Sequence, residues 1–164
     1  MSLNKYKPHV FVLPEDDANR GMANGFIKYL DDSGGAQIRV LPSAGGWGKV
    51  VEAFKSDHVL LMGSLPERHF ILRLDFDEQP NRFAEVRVGV PDSLADRVFI
   101  IGTWSELEKM RAALRRRLED IGTDLARECR DDAATLWNHE LLRHNAAELK
   151  RMTEKLKPIL FPAT

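Results

Sequence analysis

The sequence predicts an α/β fold: a small, mostly parallel sheet of about four strands flanked by helices, with a helical C-terminal extension. Three observations predict it. Up to Trp104, short apolar or β-branched runs alternate with longer helical patterns, as stacked βαβ units do. The first run, His9 to Leu13 (HVFVL), is almost continuously apolar, which suits a strand covered on both faces. From Ser105 onward the strand-like runs stop while helical periodicity continues. With 164 residues, 43% hydrophobic and 30% charged, the chain is expected to form one domain, with residues 9–104 as the α/β core and 105–164 as the extension.

The elements follow in order. After the strand 9–13, a helix is expected over 18–30, with Met22, Phe26 and Leu30 on one stripe and Asp31 to Gly35 as its stop. Gln37 to Leu41 is the second strand. The loop Ser43 to Gly48 leads into a short helix over 49–54, with Val50, Val51 and Phe54 apolar. His58 to Met62 reads either as a short strand or as the end of that helix. Phe70 to Leu74 (FILRL) is the third strand and Arg97 to Ile101 (RVFII) the last, followed by Ser105 as an N-cap. Helices are expected over 105–119, 121–129 and 132–156; the last carries Trp137, Leu141, Leu149, Met152 and Leu156 on one stripe and ends at Pro158. Trp104 and Trp137 are expected core anchors.

Composition narrows the function classes. A single cysteine, Cys129, can form neither an internal disulfide nor a zinc knuckle, and it points to a reducing compartment. The N-terminus has no apolar signal-peptide core, and no apolar run approaches the roughly 20 residues of a membrane span. The expected setting is the cytoplasm, with no membrane partner. Net charge is −1, from 24 Lys plus Arg against 25 Asp plus Glu, so no global basic field attracts nucleic acid, and any such contact has to be local.

In a parallel sheet the ligand site lies beyond the carboxyl ends of the strands. Three loops at those ends carry unusual residues: Pro14-Glu15-Asp16-Asp17, the glycine loop ending in Gly48-Lys49, and Asp75-Phe76-Asp77-Glu78. If the third strand persists, its period-two alternation sends Asp75 and Asp77 to the same side. With Glu15 they make a three-carboxylate cluster. Crowded carboxylates raise one another's pKa unless a cation joins them, and the hard oxygen set fits Mg²⁺ or Mn²⁺.

Glu15 after the first strand, Gly45-Gly46-Trp47-Gly48-Lys49 after the second and Asp75-Phe76-Asp77 after the third resemble a Toprim domain, particularly that of OLD-type nucleases and small stand-alone Toprim-like proteins. The resemblance covers residues 9–104. It implies Mg²⁺-dependent chemistry on DNA or RNA phosphodiesters, a nuclease or nuclease subunit, with Glu15 as acid/base or metal-side carboxylate, Asp75 and Asp77 as metal ligands and Lys49 as a phosphate contact. Asp16 stands where the family usually has glycine, and Asn19 where it has a second acid. Glu15-Asp16-Asp17, Asp75 or Asp77, and Thr103 are also similar to the phosphorylation site of a response-regulator receiver domain, which implies a signalling module that binds metal or phosphate without catalysis. That pattern lacks its fifth strand and lysine here.

Other motifs carry less. Gly45, Gly46 and Gly48 invite a phosphate cradle at a helix start, but Ser43 and Val50 break the P-loop template. The alternative is a tight turn that folds Trp47 over the sheet edge. His139 and His144 are five apart, roughly 140° around a helix, and do not make a zinc-protease pair. Cys129 has no histidine nearby in sequence and makes a poor nucleophile. Arg115 to Arg117 and the lysines of the last helix read as solvated faces that phosphate can also contact, and the C-terminal helices are the expected surface for a protein partner or a homodimer.

Overall fold

The computed structural model describes residues 3–30 and 37–162. It contains a four-stranded, wholly parallel sheet built from β1 (His9–Pro14), β2 (Ile38–Val40), β3 (Arg68–Asp75) and β4 (Val98–Thr103), in the order β2-β1-β3-β4. From β1 the chain steps outward to β2, then crosses back over β1 to reach β3. The strand order therefore reverses between β1 and β3, and in such sheets the cleft at the carboxyl ends of those two strands is where ligands bind.

Alternation along the strands supplies two cores. Val10, Val12, Ile71, Phe99 and Ile101 face one side, and Phe70, Leu72, Leu74, Val98 and Ile100 the other. The first face is covered by α1 (Asp17–Leu30), α5 (Leu107–Leu114), α6 (Leu118–Asp131) and α7 (Ala146–Leu160). The second is covered by α2 (Trp47–Ala53), α3 (Val59–Ser64) and α4 (Arg82–Val88). The helices after β4 thus share a core with α1, because Ile121, Leu125, Met152 and Leu156 pack on the same sheet face as Met22 and Leu30. The backbones of α1 and α6 cross closely at two glycines: a Cβ on Gly25 would run into the carbonyl of Glu119, and one on Gly122 into that of Met22. The Thr123 hydroxyl donates to the Gly25 carbonyl at 3.1 Å across the crossing.

Several boundaries differ from the sequence expectation, each for a local reason. Residues 58–62 form no strand; α2 runs through a π-helical turn (Phe54–His58) into α3. Val50, Phe54, His58 and Met62 recur every four residues, and the under-wound i→i+5 turn keeps that spacing on one face, with Val50, Phe54 and Met62 fully buried. The last long helix begins at Ala146 rather than 132, after a turn-rich segment and a short 3₁₀ turn (Arg143–Asn145). The Glu128 carboxylate accepts the amides of Leu136 and Trp137 (2.9 and 3.2 Å), and Asp132 takes a left-handed conformation, so α6 stops at Asp131. Trp137 is a core anchor as expected, donating its indole N–H to the Leu125 carbonyl, but it lies outside any helix. Pro158 lies inside α7, which continues to Leu160. The expected helix stop over Asp31 to Gly35 lies outside the described residues.

Among the described residues, no fifth strand pairs with the outer edge of β4. Its polar groups are met by side chains from the segment around α7. Asn145 accepts the Gly102 amide (3.0 Å) and donates to the Gly102 carbonyl (2.8 Å), Glu148 accepts the Ile100 amide (2.8 Å), and Arg151 donates to the Val98 carbonyl. An open strand edge is a template for pairing with another chain, and here side chains occupy it. Among the described residues, no helix is long and apolar enough to cross a membrane.

Candidate metal centre

Three carboxylates meet at the β1/β3 switch point. Glu15, Asp16 and Asp75 each offer an oxygen, all within 4.8 Å of one another. Asp75 ends β3, while Glu15 and Asp16 form the turn between β1 and α1, so the topology that reverses the strand order also gathers the acids.

Glu15 is tied to β3 twice. Its amide donates to the Arg73 carbonyl at 2.8 Å, and its Oε1 accepts the Asp75 amide at 2.9 Å. Burial pushes its carboxyl up to about 7, and Asp75, Asp16 and Asp77 add like-charge repulsion in the same direction. Asp16 caps α1: its Oδ1 accepts the Asn19 amide (2.9 Å) and the Asn19 side-chain N–H (2.8 Å). Asp75 is buried, and burial raises its pKa, countered by Arg73, by the Leu107 amide at the start of α5 and by Asn19. Ser105 is buried and does not cap α5, whose N-cap is Glu106.

Asp77 does not join the cluster. β3 ends at Asp75, and Asp77 and Glu78 adopt left-handed conformations (φ 52° and 59°), which breaks the alternation that was to bring Asp77 to the same side. Its carboxylate pairs instead with Arg82 at 3.0 Å. Asp16 takes the place expected of Asp77.

The glycine loop serves a different purpose from the expected phosphate cradle. The amides of Gly45 and Gly46 both donate to the Glu15 carbonyl (2.8 and 3.2 Å), and that of Ala44 to the Pro14 carbonyl (2.9 Å), so the amides meant for an anion are spent on the end of β1. Gly45 and Gly46 have φ of 100° and 152°, conformations that favour glycine. Gly48 lies within the first turn of α2. The loop holds the backbone of Glu15 in place and sets exposed Lys49 over Gly45, with Nζ 3.9 Å from where a Cβ on that glycine would sit. Trp47 packs against the second core and carries the Arg82 guanidinium 4.1 Å from its ring centre.

Arg73 and Arg82, which the sequence does not single out, and Asn19, which it marks only as a departure from the resembled pattern, also belong to the surroundings of the site. Asn19 is fully buried; its side-chain N–H reaches Asp16 and, at 3.4 Å, Asp75, while its Oδ1 has no partner. Arg82 is buried between Trp47 and Asp77. Arg73 is buried in β3 and donates to Thr103 Oγ1 at 2.6 Å and to the carbonyls of Leu74 and Ile101 at 2.7 and 3.2 Å. The signal for Arg73 was present: a charged residue inside FILRL, a strand covered on both faces, requires buried partners.

The donor set suits a hard divalent cation. Carboxylate oxygens from three residues could hold a metal ion, and oxygen donors of this kind are the ones hard divalent cations prefer. Cys129, by contrast, is buried beside Trp137 with its thiol pushed up to about 12, which leaves no reactive thiolate. No protein-family model, curated protein or solved structure matches the chain.

Proposed function

We propose that the protein is a Toprim-like phosphoryl-transfer protein that acts on nucleic-acid phosphodiesters with Mg²⁺ or Mn²⁺, as a nuclease or nuclease subunit. The observation that carries this reading is the convergence of Glu15, Asp16 and Asp75 within 4.8 Å at the switch point of a parallel sheet. A cation held there would stabilise charge on a phosphodiester. Glu15, with its carboxyl near 7, is poised to exchange a proton at neutral pH. Lys49 supplies an exposed positive charge beside the same loop. The buried, unreactive Cys129 agrees with a reducing, cytoplasmic setting. With net charge −1, nucleic-acid affinity is expected to be weak and salt-sensitive without a protein partner, for which the C-terminal helices offer a surface.

The test is cleavage of plasmid and single-stranded DNA or RNA at low salt with Mn²⁺. Slow nicking that disappears in Asp75→Ala and falls in Lys49→Ala supports the reading; no metal-dependent cleavage at any salt removes it. A receiver-like module is the second reading, favoured by the strand order and by the register pairing of Asp75 with Thr103. Covalent labelling of Asp75 by a small acyl phosphate would select it. Against it, the segment after β4 is helical, and side chains of Asn145 and Glu148 fill the edge where a fifth strand would lie.

A further inference from the structure

We propose that the amino-terminal end of the sheet carries a site for a phosphate group, with the guanidinium of Arg68 as its fork and Arg39 and His58 as further donors. It stands apart from the acidic cluster: Arg68 opens β3 and Asp75 closes it, roughly 23 Å away at the ~3.3 Å rise of a strand residue. The site therefore does not depend on the cation reading. Arg68 is only 7% exposed, yet its side chain makes a single hydrogen bond, from Nε to His9 Nε2 at 3.0 Å. Its guanidinium carbon lies 4.2 Å from the centre of the Phe11 ring, which sets the plane of the fork. Nη1 and Nη2 have no partner among the described residues, and neither is an enclosed orphan atom, so both keep an opening to solvent. That free edge is the one with which an arginine takes two oxygens of a single oxyanion. Burial lowers the Arg68 pKa and no neighbouring acid counters it.

Two more groups share this end of the sheet. Arg39 is exposed on β2 and is the register partner of Phe11, so its side chain leaves the same face. His58, in the π-helical turn, packs on Phe70 with ring centres 4.8 Å apart, and Phe70 is the partner of Phe11 on β3. The His58 Nδ1 is buried without a partner, and the ring is near enough to Arg68 for their positive charges to oppose each other, a conflict that a bound anion relieves. Among the described residues neither arginine has an ion pair, and the adjacent acids Asp57 and Glu67 bind neither. The frame is preorganised: Arg97 donates to the carbonyls of Leu65, Arg68 and Met62 at 3.1, 2.9 and 3.1 Å, and the Arg68 amide donates to the Leu65 carbonyl at 3.1 Å. A phosphate suits this set better than a carboxylate does, because it has oxygens left for Arg39 and His58 once the fork is filled.

Calorimetric titration of the whole chain with inorganic phosphate, in the presence of a chelator and with chloride holding the ionic strength, tests the proposal. One saturable phosphate per chain is expected. Arg68→Lys, which keeps the charge but loses the fork, should weaken it roughly tenfold, and Arg39→Gln severalfold. Asp75→Asn should bind phosphate as the wild type does. No binding beyond the chloride control, or equal binding by the wild type, Arg68→Lys and Arg39→Gln, overturns the inference and leaves the cation reading standing, since no metal is present. If Arg68→Lys does not fold, exposed Arg39→Gln decides. Short single-stranded DNA with and without a 5′-phosphate then names the source of the group. Tighter binding of the phosphorylated strand, lost in Arg68→Lys, assigns a terminal phosphate; equal binding of both strands, weakened alike in Arg68→Lys, assigns the phosphodiesters of the chain.

Discussion

Glu15 Oε1 accepts the backbone N–H of Asp75 at 2.9 Å, so the side chain that follows one strand completes the hydrogen bonding of its neighbour. The Glu15 carbonyl, which a continued ladder would have used, is taken by Gly45 and Gly46. The same carboxylate is both a strut between strands and a member of the acidic cluster, and its protonation therefore bears on stability as well as chemistry.

The first prediction follows from that double role. The folded Glu15 carboxyl sits near 7 against an ordinary 4.5, so the native state keeps a proton that the unfolded chain releases. The stability it contributes is present below about 4.5 and is lost as pH rises through about 7. Glu15→Gln, which still accepts the Asp75 amide, should melt above the wild type in metal-free buffer at pH 8, by about 2–4 °C if the gain is near 1 kcal/mol. The difference should vanish near pH 4.5. Thermal melts across pH check it.

Cation binding should reorder these melts. Mg²⁺ or Mn²⁺ is expected to raise the melting temperature of the wild type and of Asp77→Asn alike, and to leave Asp16→Asn and Asp75→Asn nearly unmoved. Equal shifts in all four proteins would remove the site from these residues.

The amino-terminal edge of the sheet predicts an opposite pH dependence. Arg68 Nε donates to His9 Nε2 at 3.0 Å while His9 Nδ1 lies 2.7 Å from the Lys7 carbonyl, which fixes a neutral ring protonated at Nδ1. Burial holds His9 below its usual 6.5, and His58 and His69 likewise. The unfolded chain thus takes up protons first, and the contribution of these rings is lost as pH falls from 6.5 through their folded values. In a Glu15→Gln background, urea denaturation should show stability falling from pH 7 to pH 5. His9→Ala should flatten that fall and cost about 1–3 kcal/mol at pH 7 by stranding Arg68.

The helix crossing gives a prediction independent of charge. Gly122→Ala should lower the urea midpoint by an amount equivalent to about 1–3 kcal/mol, since the added methyl meets the Met22 carbonyl and the helices must separate. Alanine at exposed Gly48, which has open space around it, should be neutral or slightly stabilising.

Much of this architecture was legible because each strand interior carries its own pattern. HVFVL and FILRL lie wholly within strands of the parallel sheet, and RVFII does so from Val98 onward, Arg97 closing the 3₁₀ turn before it. Glu15 and Asp75 were legible because they stand just beyond or at strand ends, where a parallel sheet directs function. Asp77 was not, since consecutive left-handed residues at 77 and 78 leave no mark in the residue types, and its preference for Arg82 depends on a helix start five residues on. Asp16 was read as a departure from a pattern, yet a residue that caps a helix at a strand's carboxyl end is placed by that cap beside the acids of the neighbouring strand. The 132–145 segment was misread as helix because Trp137 falls on an apolar stripe, while the turn is held by Glu128, whose carboxylate reaches amides eight and nine residues ahead.

The side-chain seal on β4 ties the sheet to a part of the chain more than forty residues further on. All four strands have been made once Thr103 is added, but the groups that close the outer edge belong to Asn145, Glu148 and Arg151. A chain cut back to Thr103 would hold all four strands but leave the amides of Ile100 and Gly102 without the Glu148 and Asn145 oxygens that meet them, an open edge of the kind that pairs with other chains. The cover for that edge comes from the 3₁₀ turn and the first two turns of α7, so the C-terminal segment is as much a part of the sheet's boundary as any strand.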